Sequence, residues 1–219
     1  MRFTVAFILS MAAAASAALS SGQVVANMDT LIQQSSETNR IAEAVIPANT
    51  PSTLPQLFTH FRTIITTTQN DIDAMLARKR SLQARQVCAY AEDPEQCLSD
   101  LSVSIDYPAE FLGSEKMKRQ AQFDYSEADQ QGICRTFRLF VEAQEELLKT
   151  MIERHDFFRK LQIEYNSASA LTALGKKVDL FSLVIVHMVP TCSQDASQNK
   201  RSLDEAYDNV LATYSPKNN

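Results

Sequence analysis

Only four glycines occur in 219 residues, and this scarcity limits the fold more than any other feature of the chain. Hairpin turns, barrel corners and phosphate-cradling loops consume backbone positions with φ > 0, which glycine fills without steric cost. An ordinary glycine frequency of about 7% would supply roughly fifteen. An all-β fold is therefore not expected. Helices need no such positions, and apolar residues recur at helical spacing through most of the sequence. In a first segment, Gly22 to Ile46, they fall at Val24, Met28, Leu31, Ile32, Ala42 and Val45, with Ser35 and Thr38 completing the period. Pro47, Pro51 and Pro55, in PANTPSTLP, read as a rigid extended linker, because a residue preceding proline is pushed out of the α region. Ser52 or Thr53 can cap the next helix, whose stripe runs Leu57, Phe58, Phe61, Ile64, Ile65, Thr68, Ile72, Met75 and Leu76.

Residues 87–126 lose the period and gain turn signals such as AEDPEQ and DYPAEF, which predicts an irregular insert. A third helix carries Ile133, Phe137, Phe140, Val141, Gln144, Leu148, Met151, Ile152, His155 and Phe158 on one face. Its other face holds Glu142, Glu145, Glu146, Lys149 and Glu153, where Glu145 and Lys149 form a favourable i, i+4 pair. After a break near Glu164 to Ser167, a fourth helix shows Leu171, Leu174, Val178, Phe181, Ile185 and Met188, widened by Leu180, Leu183, Val184 and His187. Pro190 ends it, and a last helix runs through Ala196, Leu203, Ala206, Tyr207, Val210 and Tyr214. The expected fold is all-α: about five mostly antiparallel helices in a single bundle spanning 19–214, with a disulfide-bearing loop insert at 87–126 and a polar tail at 215–219.

Residues 1–18 have the form of a secretory signal peptide: Arg2, an apolar run from Phe3 to Ala15, then small residues at Ala15, Ser16, Ala17 and Ala18. The apolar run is shorter than the ~20 residues that span a bilayer, so no transmembrane segment is expected. Export to the outside of the cell or to its wall places the four cysteines in an oxidising compartment, where thiols pair. A helix near Ile133 to Phe158 and a returning one near Ala168 to Val189 bring Cys134 and Cys192 to one pole, which predicts the Cys134–Cys192 bridge. Cys88 and Cys97 lie across a proline-containing turn and make the natural second bridge, Cys88–Cys97. The same proximity leaves the other two pairings open.

A net charge of -5 argues against nucleic acid as a partner, since counterion release needs clustered Lys and Arg. No G-x-S-x-G elbow and no H-E-x-x-H motif occurs, so neither a serine hydrolase nor a zinc protease is indicated. Glu142, Glu145 and Glu146 read as an exposed face, and Asp71 and Asp73 flank Ile72 on a polar one. The expectation is no catalysis, no cofactor and no metal. His155 and His187 read as core histidines with polar partners. Phe and Met side chains either pack a core or line an adaptable apolar cavity between helices. The cavity candidates are Phe61, Ile65, Phe137, Phe140, Met151, Phe181, Ile185 and Met188.

The stretches VVANMDTLIQQSSETNRIAEAV, LPQLFTHFRTIITTTQNDI, FRLFVEAQEELLKTMI and LDEAYDNVLATY resemble fungal small secreted helical proteins. The group is the cell-wall galactomannoprotein and hydrophobic surface-binding family, with its UV-induced secreted relatives. The chain departs from it in the cysteine-bearing insert and in lacking a Ser/Thr-rich wall-anchoring tail. The resemblance implies a non-enzymatic bundle, secreted or wall-associated, that binds lipid or another apolar ligand or hydrophobic surface, such as a host or cell-wall component. A second reading is a secreted interaction or effector protein whose contact surface is the insert around Pro94, Tyr107, Pro108 and Phe111.

Overall fold

A computed structural model of the chain describes residues 19–88 and 125–215, and of 77–88 the backbone alone. Residues 1–18, expected to be a signal peptide, residues 89–124 of the expected insert, residues 216–219 and the expected Cys88–Cys97 bridge lie outside the described residues. The described residues form an all-α bundle of five helices: α1 Ser21–Ala44, α2 Thr50–Cys88, α3 Glu127–Lys160, α4 Glu164–Met188 and α5 Ser193–Tyr214. A 3-10 turn at Pro190–Cys192 joins the last two.

Consecutive helices reverse direction, so α1, α3 and α5 run one way and α2 and α4 the other. Pairings along α1 and α3 keep their order: Ser21 Oγ donates to Asp129 at 2.6 Å, Gln144 Nε2 to Ser35 Oγ at 2.6 Å, and Arg154 to the carbonyls of Glu43 and Val45. Their interface, the most extensive in the bundle, is therefore parallel. Ser35 and Thr38 on α1 are fully buried small residues, and Ser35 meets Gln144 of α3 at this interface.

Helix ends explain where the sequence reading shifts. Ser20 and Ser126 each form a capping box, with Gln23 and Asp129 respectively, so α1 and α3 start on satisfied amides. The proline-rich stretch is not an extended linker. Pro51 sits in the first turn of α2, where its missing N–H would have had no partner, and Pro55 follows one turn later. Asn49 compacts the connection: its Oδ1 accepts from the Ile46 amide at 2.8 Å and its Nδ2 donates to the Ala44 carbonyl at 2.9 Å. The break after α3 falls at Leu161–Ile163, ahead of the expected Glu164 to Ser167. There Gln162 adopts φ 59°. Its amide donates to the Arg159 carbonyl and that of Ile163 to the Phe158 carbonyl, a Schellman closure with glutamine where glycine is usual.

At the opposite pole Cys134 and Cys192 are bridged, their Cα atoms 6.6 Å apart. Gln130 reinforces this corner by accepting from the amide and hydroxyl of Thr191 at 3.0 and 2.9 Å. The α4–α5 turn is thereby tied to the start of α3 twice, once covalently.

Candidate functional site

The cavity candidates separate into two groups. Phe61, Phe137, Phe140, Met151, Phe181, Ile185 and Met188 are all buried within one continuous core. The Phe140 ring meets the edge of Phe181 at 5.4 Å and lies 6.2 Å from Phe137. Burying a phenyl ring stabilises by roughly 1.5–3 kcal/mol, and charge placed at Phe137 or Phe181 would break the core before it reported on any ligand. Ile65 is different: it is half-buried and faces a groove.

That groove, of about 560 Å³, is lined by Ile65 of α2 and by Tyr165, Ala168, Ser169, Thr172, Ala173, Lys176 and Lys177 of α4. Its origin is local sequence. The first half of α4 carries only small side chains at 168, 169, 172 and 173 on the side flanking α2, so the surface is recessed there. Larger residues of the same helix, Leu171, Leu174, Val178 and Phe181, are buried on the inner side. The outcome is an apolar floor open to solvent. Tyr165 stands at one end with 83% of its surface exposed, the most exposed large apolar side chain among the described residues.

Lys176 and Lys177 mark the other end, and neither takes part in an ion pair among the described residues. Lys200, a few turns away, shows the contrast. It bridges α4 and α5 by bonding Asp179 at 2.6 Å and Asp204 at 2.7 Å. Burial alone would push its ammonium down, but these two carboxylates outweigh it and hold it above the usual lysine range. A cation so engaged is structural, whereas the two lysines at the groove leave their charge available.

His155 borders the Tyr165 end. Its Nε2 lies 3.0 Å from Glu164 and its Nδ1 3.5 Å from Asp156, while its ring packs edge-on against Tyr214 at 4.9 Å. This contact pins the first residue of α4 and so the backbone that carries Tyr165. Glu145 does not pair with Lys149 as expected. It accepts from Ser202 of α5 at 2.5 Å, and Lys149 lies 4.0 Å from Glu153. Asp71, expected on a polar face, is buried between α2 and α1.

Among the described residues no group of three or more His, Cys, Asp or Glu side chains is placed to hold a metal ion. No helix among them is long and apolar enough to cross a membrane. Comparison of the chain with models of protein families, with curated proteins and with solved structures finds no match in any of the three.

Proposed function

We propose that the chain is an exported, non-catalytic helical protein that binds an amphipathic molecule in the groove between α2 and α4. The apolar part of the ligand lies along Ile65, Ala168 and Ala173 beside the Tyr165 ring, and its anionic head meets Lys176 and Lys177. The observation that carries this reading is the pairing of a recessed apolar floor with two cations that form no ion pair among the described residues, on a chain whose net charge is -5. The groove volume of about 560 Å³ is in the range of small-molecule sites, which run ~300–1,000 Å³. A ligand of this class is also what the resemblance in the sequence would imply. Phe61, Phe137, Phe140, Met151, Phe181, Ile185 and Met188 are buried in the core rather than at the groove.

Titration calorimetry with sodium dodecanoate and with dodecyl maltoside, both below their micelle concentrations, tests this. Binding of the anionic chain, weakened about tenfold or more in K176E/K177E and in A173W, is the expected result. No saturable binding of either compound overturns the reading. Equal affinity for the two, unchanged in K176E/K177E, removes the role of the lysines.

A further inference from the structure

Asp71 is the one carboxylate in the buried polar set of the described residues, with 8% of its surface exposed. It sits where α2 meets α1. Its Oδ1 accepts from Asn27 Nδ2 at 2.8 Å, while Oδ2 is shut off from water and has no hydrogen-bond partner. One neutral donor for two oxygens satisfies a carboxylic acid far better than a carboxylate, which needs several donors or a cation to offset lost hydration. Burial accordingly pushes the carboxyl up to about 6.

The charged groups of neighbouring helices are engaged or turned elsewhere. On α1, Asp29, Arg40 and Glu43 are exposed and Glu37 pairs with Arg40 at 2.6 Å. On α4, which also packs against α2, Glu164 is bonded to His155, Asp179 to Lys200, Lys176 and Lys177 stand at the groove, and His187, in the last turn, is engaged by a partner of its own. Among the described side chains of α2 itself, Arg62 and Asp73 are exposed and His60 lies about three turns away.

We propose that Asp71 is a proton-operated latch between α1 and α2, closed when its carboxyl is neutral and opened by ionisation far enough to admit water to Oδ2. This device is independent of ligand binding in the groove. The sign follows from linkage. The folded chain holds this proton more tightly than the unfolded chain, where aspartate has its ordinary value of 3.8. Asp71 therefore makes stability fall as pH rises from about 4 to about 6, after which its effect is constant.

Thermal melting of the wild type and D71N at pH 4.5 and 7.5, at fixed ionic strength, reads the latch directly, because asparagine reproduces the neutral acid at every pH. Relative to D71N, the wild type loses about 3–6 °C on passing from pH 4.5 to 7.5. Parallel behaviour of the two proteins overturns the proposal, as does a pH slope that vanishes in H187Q and persists in D71N. A measurement on the unmodified chain covers the case in which D71N does not fold. The carboxyl carbon resonance of Asp71 titrates near pH 6 if the latch exists, and a midpoint at or below 4.5 overturns it.

Discussion

Gln144 of α3 and Ser35 of α1, both fully buried, are joined by a hydrogen bond of 2.6 Å from the amide Nε2 to the hydroxyl. The same amide accepts through Oε1 from the Tyr207 hydroxyl of α5 at 3.0 Å, and Ser35 in turn donates to the Leu31 carbonyl at 2.7 Å. Three helices that run in parallel thus share one polar chain through a largely apolar core. A buried network of this kind fixes the register of the helices, because sliding any one by a turn would strand its polar member.

Replacing Gln144 by leucine leaves the Tyr207 hydroxyl buried without an acceptor. The expected loss is about 2–3 kcal/mol, since an unsatisfied buried donor costs roughly its desolvation and the apolar isostere fits imperfectly. Adding Y207F to Q144L removes the stranded hydroxyl and recovers part of that loss. Urea denaturation of the two single variants and the double variant checks the coupling, and strict additivity would mean that the network does not act as a unit.

Two glycines in helices respond oppositely to the same substitution. A methyl group at Gly175 would stand 2.9 Å from Cδ1 of Tyr207, whose ring is held by its bond to Gln144 and cannot swing away. At Gly132 a methyl group meets nothing within 4 Å. G132A is expected to stabilise by about 0.5–1 kcal/mol through helix propensity. In G175A the same gain is outweighed by overpacking, for a net loss of about 1–2 kcal/mol. Denaturant midpoints moving in opposite directions check the pair.

Gln162 closes α3 at φ 59°, the one positive-φ residue among the described ones. A side chain with a Cβ is disfavoured there by roughly 1–2 kcal/mol, part of which glycine returns as unfolded-chain entropy. Q162G is expected to raise stability by about 0.5–1 kcal/mol, and an unchanged or lowered melting temperature would count against the Schellman closure.

These particulars show what the sequence could and could not reveal. Helical stripes were legible because each buries a face on a 3.6-residue period, and even Ser35 and Thr38 stood in register with their stripe. Cys134 and Cys192 followed from two helices of similar length turning back on one another. The proline-rich segment reads as a linker because proline disfavours a helix interior, yet Pro51 falls in the first turn of α2 and Pro55 is accommodated inside the helix. The sequence puts the α3–α4 break too late because glutamine gives no sign of the left-handed conformation that Gln162 adopts. Aspartate as a type reads as solvent-facing, whereas the closeness of α1 decides the burial of Asp71. Of the groove only Ile65 was visible beforehand. Its floor is a run of small residues on the outer side of α4, and an absence of bulk leaves no mark in an apolar pattern. The large Phe and Met side chains form the visible pattern, and their place is the core.

The central claim, that the face shared by α2 and α4 receives an amphipathic anion, is tested most directly by amide hydrogen exchange of the full chain with and without sodium dodecanoate below its micelle concentration. The account predicts added protection from Tyr165 to Lys177 and around Ile65, absent in K176E/K177E. Protection confined to other helices, or none at saturating dodecanoate, would contradict it.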